Sequence, residues 1–190
     1  MTRFILGLAV FFGIHSVSML ALGWRNRIAE RLGTRAWQGI YSVIALVGFY
    51  LFVSGYGAAR SSAAIVYATP SWFRYVAALL MLPVFTLALA SVFSGSIRAR
   101  AQHPLLLAAI LWAAAHVLTN GSVADLLLFG TFLAWAILVR LSLARRPART
   151  PIALPVSRVN DVIAVVGGLA LYAAFMFWLH ARWLGVPPLA

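Results

Sequence analysis

Nothing constrains the fold of this chain more than its apolar stretches. They cover residues 3–23, 37–58, 72–94, 104–119, 122–143 and 159–181, and polar or basic segments separate them. A helix needs about 20 apolar residues to cross the hydrocarbon core of a bilayer. Within that core each backbone N–H and C=O must be bonded inside its own segment, so such a stretch becomes a helix. The expectation is an all-α, polytopic membrane bundle of about six transmembrane helices, forming a single transmembrane domain over residues 1–190. The fourth stretch is short, and only Thr119-Asn120-Gly121-Ser122 joins it to the fifth, so 104–143 reads as a helical hairpin that need not span fully. Asn120 and Gly121 suit a left-handed C-cap. Ser122 followed by Asp125 resembles a capping box. Pro104 fits a first helical turn, and Pro83 should kink the third helix.

Composition supports the membrane class. The chain is 64% hydrophobic and 9% charged, far more apolar than a soluble domain of about 45–50% apolar and 25% charged residues. The net charge of +12 comes from fifteen basic residues, all arginine, against three acids. These arginines sit between the apolar stretches rather than in one patch, which argues for topology and lipid headgroups and against nucleic acid. Arg25, Arg27, Arg31, Arg35, Arg98, Arg100, Arg145, Arg146, Arg149 and Arg158 follow the first, third and fifth stretches. Arg3, Arg60, Arg74 and Arg182 lie on the other side, and Arg140 sits where its stem can snorkel. The positive-inside rule then puts both termini outside the cytoplasm. Arg3 and Ala21-Leu22-Gly23 loosely imitate a cleavable leader, but the apolar run is longer than a leader's, so it reads as a retained span. The segment 144–158 is a basic, proline-broken loop.

The chain has no cysteine, which removes disulfides, thiolate catalysis and iron–sulfur clusters. No catalytic triad, phosphate loop or metalloprotease motif is present. The histidines remain. Ionisable groups inside membrane spans are rare and mark function by default. His15 lies in the first span and His116 near the end of the fourth. The plainer reading of each is an imidazole bonded to a carbonyl or hydroxyl on a neighbouring turn or helix. The pair says more. His15 is nine residues from Trp24, roughly 13 Å deep, and His116 thirteen residues from His103, roughly 19 Å deep. Helix tilt absorbs such a difference. Two imidazoles at comparable depth can hold a haem iron from both faces. Ala108, Ala109, Ala113, Ala114 and Ala115 would leave clearance for it, with Phe11, Phe12 and Trp112 as walls. A zinc site would want four ligands. His103, before Pro104, reads as a helix boundary, an alternate haem ligand or a substrate-side acid/base, and His180 as an interfacial ring.

Three segments carry a resemblance: Gly13-Ile14-His15-Ser16-Val17-Ser18-Met19-Leu20, the stretch from His103 to Gly121, and its continuation to Gly130. With the overall length, they resemble the NnrU family of bacterial membrane proteins. That family is similar to 15-cis-ζ-carotene isomerase, a membrane haem protein, and more distantly to isoprenylcysteine carboxyl methyltransferase. The resemblance implies a bacterial inner membrane protein with haem b (iron) on His15 and His116, and His103 as a catalytic candidate. It implies redox or nitrogen-oxide-linked function, with haem-dependent cis–trans isomerisation of a membrane polyene, or another lipophilic molecule, as the alternative. A non-catalytic scaffold is the third reading. Methyl transfer fits poorly, because Gln102 stands where that pattern has arginine before His-Pro, and Asp161 is the one acid after the fifth span.

Overall fold

The computed structural model describes residues 1–145 and 157–189. The proline-broken segment expected between the fifth and sixth spans, with Arg146 and Arg149, lies outside the described residues. The described chain is all-α: α1 Thr2–Leu20, α2 Leu22–Leu32, α3 Thr34–Ser61, α4 Phe73–Met81, α5 Val84–Ala90, α6 Ser96–Ala101, α7 Pro104–Thr119, α8 Val123–Ala144 and α9 Arg158–Leu184. Five segments are long and apolar enough to cross a membrane: α1, α3, α4 with α5, α8 and α9. The chain is therefore a multi-pass helical membrane protein. At 16 residues, α7 extends only about 24 Å, short of a hydrocarbon core of about 30 Å.

Local chemistry accounts for the breaks. Pro83 ends the N–H ladder of the third span and separates α4 from α5. Pro104 stands in the first turn of α7, where a missing N–H costs nothing. Ser157 caps α9 by accepting from the Val159 N–H at 3.2 Å. Two π turns interrupt the long helices, Leu126–Gly130 in α8 and Phe175–Leu179 in α9.

Two compact units are present. The first holds Met1–Ile65 with Ser122–Ala124, and the second Val66–Gly121 with Asp125–Ala190. In the first, α1 pairs with α3, and glycine makes the approach close. A Cβ at Gly48 would lie 2.6 Å from the Phe11 nitrogen, and one at Gly55 2.8 Å from that of Phe4. Small residues at such seams let helix backbones meet where no water drives them together. The basic segment after the first span is itself helical, as α2. Trp24, Ile28 and Leu32 make an i, i+4, i+8 stripe on it, with arginines elsewhere.

In the second unit α7 packs on α4, α5 and α8, and α9 packs on α5. A polar knot fastens one end of α9. The Asp161 carboxylate accepts from the Ser96 N–H at 2.9 Å, the Ser96 hydroxyl at 2.6 Å and the Ile97 N–H at 3.0 Å. Asp161 therefore caps α6 as well as opening its own helix. Beside it the buried Asn160 amide donates to the Ser94 carbonyl at 2.8 Å.

The turn after α7 corrects one expectation. Asn120 is extended (φ −131, ψ 109), and among the described residues only Gly33 and Gly185 are glycines with positive φ. Gly121 is required by proximity: a Cβ there would collide with the Tyr67 carbonyl oxygen and lie 3.0 Å from its carbon. The Gly121 carbonyl accepts from the Val66 N–H at 2.8 Å. The residues around Tyr67 run alongside the turn and hold it open, so it needs no left-handed cap.

Candidate functional site

His116 is half-buried in the last turn of α7, within the second unit. Its Nδ1 lies 2.8 Å from the Trp112 carbonyl oxygen. A carbonyl only accepts, so Nδ1 carries the proton and the neutral ring keeps its lone pair on Nε2. Aromatic rings enclose it: Phe129 at 4.6 Å between centroids and 31° between planes, and Trp112 at 5.0 Å. Trp112 in turn meets Phe129 and Phe132 edge-on, each at 5.2 Å. Phe129 belongs to the π turn of α8.

His180 is the unexpected neighbour. Its ring centre is 6.5 Å from that of His116, with the planes at 32°. It follows directly on the π turn of α9, and its Nδ1 lies 2.5 Å from the Val186 carbonyl oxygen. His180 thus carries the same tautomer as His116. Asp125 is buried, 1% exposed, in the first turn of α8, and its charge acts on Tyr67. That phenol points at the carbonyls of Val117 and Asn120, the latter at 3.1 Å. Burial first, and Asp125 second, raise the Tyr67 pKa above its ordinary 10.0. Sequence reading missed His180 because it lies 64 residues from His116. The preceding π turn was the sole structural clue, and no residue pattern encodes it.

His15 belongs to the first unit. Its Nδ1 lies 2.7 Å from the Phe11 carbonyl oxygen, which accepts the Nδ1 proton. Phe11 stacks on it at 4.1 Å and 32°, and Tyr41 approaches edge-on at 5.3 Å. Of the three aromatic residues expected to wall a haem, Phe11 lies against His15 and Trp112 against His116, while Phe12 is buried in the core. The expected clearance is only partly present. Ala108, Ala113 and Ala115 are buried by protein, which leaves Ala109 and Ala114 half-exposed on α7.

His103 stands at the far end of α7 from His116, about 20 Å along the axis. Its side chain makes no capping bond, while its carbonyl accepts from the Leu106 and Leu107 N–H groups. The turn before it is strained. Gln102 has φ 58 and ψ −52, and the His103 N–H donates to the Ala101 carbonyl at 2.7 Å. This is a γ-turn of the rare hand, a conformation that costs of order 1–3 kcal/mol. Arg140 donates to the same Ala101 carbonyl at 3.3 Å and braces the turn.

Among the described residues, no group of three or more His, Cys, Asp or Glu side chains is placed to hold a metal ion. Within the second unit the structure brings two imidazoles together, those of His116 and His180.

A family model described as NnrU protein matches residues 3–188. No curated protein and no solved structure matches the chain. The chain belongs to the NnrU family.

Proposed function

We propose that this NnrU family membrane protein binds haem b through His116 and His15 and serves redox or nitrogen-oxide-linked metabolism in a bacterial inner membrane, with both termini outside the cytoplasm. The observation that carries the reading is the bonding of the two rings. Each histidine commits Nδ1 to the carbonyl four residues back, which sets the tautomer and fixes the ring's direction. Each ring lies among aromatic side chains, which exclude water and offer a flat apolar lining. Haem iron held by two imidazoles supplies one-electron redox chemistry. The chain's own part is to hold Nε2 of each ring in place: Phe11 and Tyr41 orient His15, while Trp112 and Phe129 orient His116. His103, on its braced γ-turn, is the candidate for handling a proton on the arginine-rich side.

The test is haem content after expression in haem-supplied cells, measured as the pyridine haemochrome. Wild-type protein is expected to retain close to one haem per chain. His15→Ala and His116→Ala should each lose most of it, and His103→Ala should retain it. Retention by a folded His15→Ala/His116→Ala double variant would refute the ligand assignment.

A further inference from the structure

We infer that His180 is a metal-ligating residue that shares one transition-metal centre with His116. A metal–nitrogen bond is about 2 Å and the ring centre lies about 1.1 Å beyond, so two imidazoles in line across one metal have centres roughly 6.3 Å apart. The observed separation is 6.5 Å. That spacing lets the two rings share one metal ion. Two further features agree. Both rings commit Nδ1 to backbone carbonyls, His116 to Trp112 and His180 to Val186, which leaves the two Nε2 lone pairs as donors. Each π turn delivers a ring to the site, Phe129 from α8 and His180 from α9, and such turns recur at functional sites.

The inference rests on the reading of His116 as a ligand and adds a second candidate for the position that the haem proposal gives to His15. The shared chemistry is a first-row transition metal taking two imidazoles. Its source is either haem iron or a free divalent ion. Two titrations of purified, haem-free full-length protein separate them, one with hemin and one with Co²⁺, both read by visible absorption. His180→Gln and His180→Gly are compared with wild type. We expect at least one probe to bind with a bis-imidazole signature that both variants lose, with affinity falling roughly tenfold or more. Added imidazole should restore the signature in His180→Gly, which a purely structural role for the Val186 contact would not allow. Haem uptake with a spectrum unchanged in His180→Gln, together with an unchanged Co²⁺ titration, overturns the inference and leaves the haem proposal standing. Co²⁺ bound through His116 and His180 in a protein that takes up no haem overturns the haem proposal and supports the inference. Binding of neither probe overturns both.

Discussion

Gly121→Ala tests the packing that sets the position of His116. The added Cβ would collide with the Tyr67 carbonyl oxygen and lie 3.0 Å from the carbonyl carbon. That neighbour is backbone and cannot rotate aside. Relief requires the residues around Tyr67 to back away, which pulls on the 2.8 Å bond from the Val66 N–H to the Gly121 carbonyl. Overpacking costs about 1–3 kcal/mol, and a weakened hydrogen bond adds about 0.5–1.5 kcal/mol. A loss of about 3 kcal/mol lowers Tm by roughly 6–12 °C for a chain of this size. The assay is tryptophan-fluorescence melting in detergent. Gly57→Ala is the control: nothing lies within 4 Å of its Cβ, and it sits inside α3. Better helix propensity should make that change neutral or stabilising, by up to about 1 kcal/mol. If Gly121→Ala melts within about 2 °C of wild type while folded, the close approach to Tyr67 is not real and the account of this turn fails.

Three other predictions follow from the geometry. In an alkaline titration read by phenolate absorption, the component lost in Tyr67→Phe should titrate above 10.0; a midpoint at or below that value would contradict the burial of this phenol. The sign of the linkage is that of a raised acid: the stabilisation is full below about 10 and lost as pH rises through the folded value, where the phenol can no longer donate to Val117 and Asn120. Gln102→Gly should stabilise by about 1 kcal/mol, because glycine accepts positive φ without a Cβ penalty; a destabilised variant in the same melting assay would count against the γ-turn. Since the chain has no cysteine, single cysteines can report topology to a membrane-impermeant maleimide on intact spheroplasts. Ala68→Cys should label and Ala99→Cys should not, and the reverse pattern would invert the orientation.

Five spans were legible because length and apolarity alone fix them; the fourth expected stretch is also a helix, α7, but one shorter than a full crossing, and Pro83 and Pro104 act where their lost N–H dictates. The aromatic neighbours of the two histidines were legible too, since Phe11 and Trp112 lie four residues before them. The rest depended on contacts distant in sequence. Asn120-Gly121 looks like a left-handed cap in isolation, and only the residues around Tyr67 running beside it force the extended form. Asp161 reads as the start of its own helix, yet its carboxylate also serves α6. Arginines hid the apolar stripe of α2. His180 was read as interfacial because the π turn that sets its phase against His116 leaves no mark in the residue pattern.

The absorption spectrum of wild-type protein purified from haem-supplied cells tests the central claim most directly. The account predicts a red protein with a Soret band and sharp α and β bands on reduction, the signature of iron between two imidazoles, and the loss of those bands in His116→Ala. A colourless wild type that also takes up no added hemin would contradict it and return His15 and His116 to the role of helix-bonded imidazoles.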